Sequence, residues 1–479
     1  MTSTSLSVRA PVPTGGRPAA ALGPLGLFTV LLGAALPLID FFIVNVALPA
    51  IDRDLAAGPA LLELVVAGYG LPYAVLLVLG GRLGDLFGRR RLFLVGMAAF
   101  GLTSLACGLA PDAWTLVAAR VAQGAASALM LPQVLATIHS STRGARRARA
   151  LSLYGATGGL SMAGGQILGG VLVTADLAGS GWRAVFLVNV PVAVAGLVLA
   201  VRSVPETRSD RPAPVDVPGT VLLAVGLLSL LAPLTEGRAA GWPLWTWVSL
   251  AVFPFAAGAF WWVERRADRR GATPLVPPSL LALVSLRRGI LVVLPLSLGF
   301  SGFMFVIAVA LQQGLGMGAV ASGLALVPMA LAFFGASLAG PRLVRRWGTR
   351  VVPAGALLQG LGIAAIAWSV GRDWQGLSAA DLLPGMAVAG FGQGLQLPVL
   401  FRVVLSEVPS ERAGVGSGVM VTVQQSALTL GVATLGSLFL SLASAPAEMG
   451  AALRTTLLVQ LGVVALTLLL GLRLPRTVK

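Results

Sequence analysis

Cysteine, histidine and lysine are almost missing from this chain of 479 residues, which has one of each: Cys107, His139 and Lys479. A single cysteine excludes an intramolecular disulfide framework. One cysteine and one histidine cannot supply the ligands of a structural zinc site, so we expect neither a metal centre nor a cofactor. The sequence also has no G-x-x-x-x-G-K loop, which excludes direct use of ATP through a Walker A site.

Charged residues are scarce as well, at 11% of the sequence, whereas a soluble domain has roughly 25%. Hydrophobic residues make up 56%, and the mean hydropathy is +0.89. Apolar runs of about 20 residues recur along the chain, a pattern typical of membrane-spanning helices. Short alternating segments typical of a membrane β-barrel are not seen. We therefore predict an all-α polytopic membrane protein.

Fourteen apolar segments are long enough to cross a bilayer, although their ends are uncertain by several residues. The first six lie at about residues 25–49, 60–79, 92–110, 114–138, 151–173 and 184–201. Two more lie at about 218–234 and 244–263. The last six lie at about 290–312, 320–339, 351–370, 382–405, 415–442 and 452–472.

The formal net charge of +16 does not indicate a nucleic-acid partner, because the basic residues lie in alternate loops. Of the 34 lysines and arginines, 28 fall on one predicted side of the membrane, five fall on the other, and Arg120 lies inside a helix. This asymmetry predicts that both termini face the cytoplasm, beside anionic lipid headgroups. We expect a multi-pass protein of the bacterial inner membrane.

An internal repeat relates the two parts of the chain. The pattern G-x-R-L-x-x-x-x-G at residues 80–88 recurs 260 positions later, at 340–348. Two six-helix halves of this kind are typical of transporters that rock around a midplane site. The predicted units are a disordered cytoplasmic tail, a six-helix bundle, a linker with two inserted helices, a second six-helix bundle and a cytoplasmic tail. Their residues are 1–23, 24–202, 203–285, 286–472 and 473–479.

The first copy of the repeat, residues 80–91, resembles the loop between helices 2 and 3 of the major facilitator superfamily. The matching residues are Gly81, Asp85, Gly88, Arg89 and Arg90. In that family the aspartate is thought to hold the facing half of the protein in one state of an alternating-access cycle. The resemblance therefore implies a conformational latch. The alternative is an ordinary cytoplasmic loop with a stray aspartate.

Two charged residues lie deep in predicted helices, where an unpaired charge is costly. Asp40 lies in a segment that resembles the helix 1 signature of the fourteen-helix drug:proton antiporters within that superfamily. Arg120 lies in R-x-x-Q-G, which resembles the helix 4 pattern implicated in proton coupling. The resemblance implies that both residues couple transport to protons. The alternatives are a structural hydrogen bond between Asp40 and Asn45, and an Arg120 that only caps the carbonyl groups of a neighbouring helix.

Helix 5 carries part of a third family pattern, which is thought to bend that helix in antiporters. Gly165, Gly169 and Gly170 match it, whereas Gln166 stands where proline is usual. These small residues alternatively serve only close helix packing. The incomplete match leaves import by symport open beside antiport.

The candidates for the substrate cavity are uncharged amides, which suit a neutral or mixed polar-aromatic substrate better than a dication. Alternatively, such residues only join helices to one another. The candidates are Asn45, Gln123, Gln312, Gln313, Gln393, Gln396, Gln424 and Gln425.

These patterns predict a proton-coupled exporter of small amphipathic molecules such as antibiotics, working as a monomer by alternating access. A symporter that imports a small metabolite is the alternative, and the direction of flux separates the two. A membrane enzyme or sensor is disfavoured, because the sequence shows neither a soluble domain nor a nucleophile–base pair.

Overall fold

The computed structural model describes residues 22–208, 216–237, 240–272, 274–409, 412–443 and 448–475. Within these ranges, fourteen helices are long and apolar enough to cross a membrane, which confirms the predicted number. Nearly all of the predicted N-terminal tail and the last four residues lie outside them.

The helices of the first half, α1 to α6, are Pro24–Leu55, Gly58–Phe87, Arg89–Gly108, Ala113–Ser141, Gly144–Ala175 and Asn189–Ser203. The inserted pair, α7 and α8, is Val217–Glu236 and Leu244–Arg269. The helices of the second half, α9 to α14, are Val284–Val309, Val327–Trp347, Val351–Arg372, Ala379–Leu405, Ala413–Gly431 and Met449–Gly471. Shorter helical turns at Gly181–Arg183, Ala184–Leu187, Ala310–Gly314, Ala319–Ala325, Val432–Gly436 and Ser437–Leu442 extend α6, α9, α10 and α13.

Glycines bring pairs of helices into backbone contact at equivalent places in the two halves. A Cβ atom on Gly124 of α4 would collide with the backbone of Tyr69 in α2. A Cβ atom on Gly390 of α12 would collide in the same way with Met329 in α10. These two glycines are equivalent in the internal repeat. Small residues at a helix interface are what permits such close packing in a membrane.

The two halves meet along two seams. In the first seam, α5 packs against α1 of its own half and against α10 and α12 of the other. In the second, α13 packs against α2 and α4. The inserted helix α7 lies along α2 and also contacts α13. The inserted pair therefore touches both halves at the second seam.

The segment at residues 80–91, predicted to be a loop, is almost entirely helical. Helix α2 continues to Phe87, α3 begins at Arg89, and Gly88 alone joins them. This junction requires a positive backbone angle, and Gly88 has a φ of 102°. The prediction of a loop was wrong because one glycine can reverse the chain without further non-helical residues.

Replacing Gly88 by alanine should therefore lower the stability of the folded protein. A residue with a side chain in this backbone region is strained by about 1–3 kcal/mol, and the new Cβ would lie 2.6 Å from Glu206 Oε1. Thermal unfolding of the purified protein in detergent measures the loss. Gly335→Ala is the matched control, because it is helical and its Cβ would meet open space. Equal melting temperatures for Gly88→Ala and wild type would contradict the argument.

Candidate functional site

A charged pair lies inside the first half, between α1 and α4. Asp40 and Arg120 are both completely buried, and the Arg120 Nη1 group donates a hydrogen bond to Asp40 Oδ2. Either charge alone would be strongly unfavourable in a membrane interior. Mutual neutralisation is the physical reason that both are tolerated. The two residues predicted from separate sequence patterns thus form one unit.

Gln123 of α4 and two further helices, α2 and α6, complete the coordination of this pair. The amide groups of Gln123 and Asn189 donate to Asp40 Oδ1 at 3.0 and 2.8 Å. Arg120 Nη1 also donates to Gln123 Oε1 at 2.8 Å, and Arg120 Nε donates to the carbonyl of Val65 at 3.1 Å. Both Asp40 oxygens are therefore satisfied by donors from α4 and α6. Arg120 both pairs with a carboxylate and binds a carbonyl of α2, so capping a neighbouring helix is not its only contact.

Asn45 does not bind Asp40. Its amide is half-buried and donates to the carbonyl of Phe41 in its own helix at 3.4 Å. Five residues in an α-helix correspond to a rotation of about 500°, which places the two side chains on different faces. The alternative role for Asp40 was a structural hydrogen bond to Asn45. In the structure, the amide groups bound to Asp40 are instead those of Gln123 and Asn189.

An outer group of polar residues surrounds the pair, and none of them is among the predicted site residues. Asn189 also donates to Ser104 Oγ at 3.0 Å. The Tyr69 hydroxyl group lies 2.9 Å from Ser127 Oγ and donates to the carbonyl of Pro37 at 2.9 Å. The Arg120 guanidinium carbon lies 4.3 Å from the centre of the Tyr69 ring, in a cation–π contact. In the sequence, these residues could have been found as single polar residues within apolar helices.

A second feature is a small cavity between the two halves, with a volume of about 60 Å³. Pockets that hold drug-sized molecules usually have about 300–1,000 Å³, so the halves are closed around this one. Its lining includes no charged side chain. Aromatic and amide side chains supply much of it: Phe42, Tyr154, Phe300, Phe333, Phe401, Gln393, Gln424 and Gln425.

The structure divides the predicted cavity residues into two groups. Gln393, Gln424 and Gln425 line the cavity. The other candidates lie elsewhere. Gln123 belongs to the buried charged pair, and Gln396 donates to Gln359 Oε1 within the second half at 2.9 Å. Gln312 and Gln313 lie in the helical turn Ala310–Gly314 at the end of α9. Gln313 is exposed.

Contacts between the halves close the cavity at both ends. At the end nearer Asp85, the Tyr154 and Phe401 rings pack edge to face, with centroids 5.3 Å apart. At the opposite end, a Cβ atom on Gly170 would lie 3.1 Å from Val320 of the second half. The two halves therefore touch each other at both ends of the cavity.

The glycines of the helix 5 pattern serve close packing. A Cβ atom on Gly165 or Gly169 would lie 2.8 or 2.9 Å from the carbonyl oxygens of Ile39 and Ile43 in α1. Helix α5 runs without a break through Gln166, which is buried. The bend implied by the resemblance does not interrupt the helix, because glutamine keeps the backbone N–H group that proline lacks.

The predicted latch residues are held by their own half and by the start of the linker. Asp85 forms a buried ion pair with Arg89, at 2.9 Å. The Arg89 backbone donates to the carbonyl of Thr207 at 3.0 Å, and the Arg90 backbone donates to Glu206 Oε1 at 3.2 Å. Gly81 is buried near the end of α2. In this state, the ion pair described for Asp85 does not reach the second half.

Comparisons with known proteins agree with this architecture. The family model of the Major Facilitator Superfamily matches residues 30–432. A probable actinorhodin transporter of Streptomyces coelicolor is 39% identical over 415 residues, which are 86% of this chain and 72% of that protein. The multidrug resistance protein Stp of Mycobacterium tuberculosis is 34% identical over 427 residues, 88% of this chain and 76% of that protein.

Among solved structures, the human organic anion transporter MFSD10 matches with a TM-score of 0.64 and 16% identity, covering 92% of this chain and all of that one. At this identity, the likeness shows the fold alone. The family model and the two bacterial relatives confirm the family that the sequence patterns predict. The chain belongs to the Major Facilitator Superfamily and is a multi-pass membrane transporter, not an enzyme.

Proposed function

We propose that this protein exports amphipathic, antibiotic-like molecules from a bacterial cell in exchange for protons. It lies in the inner membrane with both termini in the cytoplasm and works as a monomer by alternating access. The observation that carries the proposal is the buried pair of Asp40 and Arg120, because ionisable residues inside a membrane mark proton relays and substrate pathways. The names of the two bacterial relatives support the class of substrate.

The cavity supports an uncharged or weakly charged aromatic substrate. Its aromatic rings offer faces for stacking, and its amides offer both donors and acceptors. Gln393 Oε1 is buried without a donor among the described residues. A substrate hydroxyl or N–H group would satisfy it. A dication would find no carboxylate in the lining to replace its hydration shell.

The charged pair and the cavity share one helix, which supports coupling between them. Leu38 and Phe42, on either side of Asp40 in α1, both line the cavity. Protonation of Asp40 removes its charge, so the ion pair with Arg120 and the hydrogen bonds from Gln123 and Asn189 weaken together. A shift of α1 relative to α4 would follow, and it would change the cavity wall.

Transport into everted membrane vesicles tests the proposal. Vesicles containing the protein should accumulate actinorhodin or a neutral polycyclic aromatic antibiotic when a proton gradient is imposed. A protonophore should abolish this accumulation. A dicationic dye should be transported poorly. Uptake that persists after collapse of the gradient would refute proton coupling, and inward flux in whole cells would favour the importer.

Replacing Gln393 by leucine should weaken transport of substrates that donate hydrogen bonds. A lost hydrogen bond is worth about 0.5–1.5 kcal/mol, so the concentration for half-maximal uptake should rise about 2- to 12-fold. A substrate analogue without the donor should be less affected. Gln313→Leu is the control, because its side chain is exposed outside the cavity. Equal effects of the two variants would show that Gln393 does not bind the substrate.

A further inference from the structure

A pair of carboxyl groups, Glu264 and Asp216, lies far from Asp40, at the end of the inserted hairpin nearest to Asp85. Glu264 belongs to α8 and is completely buried. Asp216 caps the start of α7, where its Oδ1 accepts from the Gly219 backbone at 2.9 Å. The two carboxyl groups are close neighbours, because both lie against Gly219. A Cβ atom there would collide with Glu264 Oε1 and lie 2.7 Å from Asp216 Oδ2, so glycine leaves the room for the pair.

One carboxylate oxygen of this pair accepts no hydrogen bond from the part of the chain that the structure describes. Glu264 Oε2 accepts from the Val276 backbone at 2.7 Å, and Asp216 Oδ2 accepts from the Leu275 backbone at 3.2 Å. Glu264 Oε1 is buried, and no donor among the described residues reaches it. Two ionised carboxylates in this position would repel each other, and one oxygen would be left unsatisfied. A single shared proton would correct both defects.

The pair holds a segment that is also held by the end of α2. Arg82 donates to the carbonyls of Pro274 and Leu275, in the latter case at 3.2 Å. The backbone at residues 274–276 is thus fixed by the carboxyl pair on one side and by the guanidinium group on the other. Arg82 lies three residues before Asp85, which belongs to the predicted latch. Residues 274–276, called the strap below, therefore connect the inserted hairpin to the latch.

Five charged groups act on one another here. Asp216 acts on Glu264, and both carboxyl groups act on Arg82. Asp85 and Arg412 also act on Arg82. Asp85 is already paired with Arg89. Arg412 enters from the second half, beside the start of α13. With one shared proton, the carboxyl pair carries a single negative charge that balances Arg82. Without that proton, the pair carries two negative charges side by side in a buried place.

We propose that Glu264 and Asp216 form a proton-binding site, separate from Asp40, that fastens the inserted hairpin to the predicted latch. Bound proton keeps the strap at residues 274–276 in place. Loss of the proton at high pH adds repulsion between the carboxylates and loosens the strap. The site makes the attachment of the hairpin sensitive to pH on the side of the membrane where Asp85 lies.

Thermal unfolding of the purified full chain in detergent, between pH 6 and pH 9, tests the site. A proton bound only in the folded state stabilises at low pH, and this stabilisation is lost as pH rises. The melting temperature of the wild type should therefore fall toward pH 9. Glu264→Gln imitates the protonated form, so its melting temperature should fall by about 2–4 °C less over the same range. Glu407→Gln is the control, since that carboxylate is exposed and accepts from the Ser285 backbone at 3.0 Å.

Asp216→Asn provides a second, independent variant, because removing either carboxyl group removes the repulsion. It should flatten the pH dependence as Glu264→Gln does, and it decides the question if Glu264→Gln does not fold. A wild-type pH dependence in both carboxyl variants would overturn the proposal, as would equal flattening in Glu407→Gln. Because the measurement needs no substrate, its result does not depend on whether the protein is a proton-driven exporter.

Discussion

Cells that express Asp40→Asn should be as sensitive to an exported antibiotic as cells without the transporter, and vesicles with this variant should lose proton-driven uptake. Asparagine nearly preserves the size of the side chain but cannot bind and release a proton near neutral pH. It also leaves the buried Arg120 without its counter-charge. Of the single substitutions proposed for this protein, we expect Asp40→Asn to cause the largest loss of transport. Susceptibility assays and vesicle uptake measure it.

The loss must be separated from a failure to fold. Removing one partner of a buried ion pair destabilises a protein by about 3–5 kcal/mol, so Asp40→Asn should also have a lowered melting temperature. The double variant Asp40→Asn/Arg120→Gln removes both charges and should recover much of this stability. If Asp40 couples transport to protons, the double variant remains inactive. Recovery of proton-driven uptake together with stability would show that Asp40 has a structural role only.

Asp40→Glu is the complementary control, since it keeps a titratable group with one more methylene. Arg120 can still pair with it, although the bonds from Gln123 and Asn189 to Oδ1 would be displaced. Partial uptake with a proton requirement is the expected result. An Asp40→Asn variant that folds well and transports at the wild-type rate would exclude Asp40 from coupling.

The sequence was sufficient to predict the number of membrane-spanning helices and to identify the two members of the charged pair. Hydropathy reports where a helix crosses the membrane, and a charge in an apolar run needs a partner wherever it lies. Asp40 and Arg120 were therefore identifiable without a structure. Their joint coordination by Asn189 was not, because that contact joins residues 149 positions apart and depends on the rotation of α6.

Helix rotation is difficult to predict in a membrane protein for a physical reason. A soluble helix shows its buried face by an apolar stripe, whereas lipid is as apolar as the helix interface. The glutamines illustrate this difficulty. Nothing in the spacing of Gln393 and Gln396 indicates that the first lines the cavity and the second bonds to Gln359. The junction at Gly88 depends on one backbone angle, which composition does not reveal.

Gly155→Val should block transport by keeping the halves apart at the end nearer Asp85. A Cβ atom on Gly155 would lie only 2.7 Å from Cγ of Pro398 in the facing half. Overpacking by this much is unfavourable by about 1–3 kcal/mol, and it acts only in the state where these surfaces meet. A bias of that size shifts the balance between states about 5- to 150-fold. Uptake should fall by about tenfold or more, while the melting temperature changes little.

Gly158→Val is a matched control one helical turn away, because a Cβ atom there has no neighbour within 4 Å. It should retain the closed state, although it narrows the cavity.

The cause of the loss in Gly155→Val can be measured directly with spin labels on Arg149→Cys and Ser406→Cys, at exposed positions near the ends of α5 and α12. Cys107 is the only native cysteine, so Cys107→Ala gives a clean background. Gly155→Val should lengthen the distance between the labels, and Gly158→Val should not. An unchanged distance in an inactive Gly155→Val would show that this contact between the halves is not what closes the transporter.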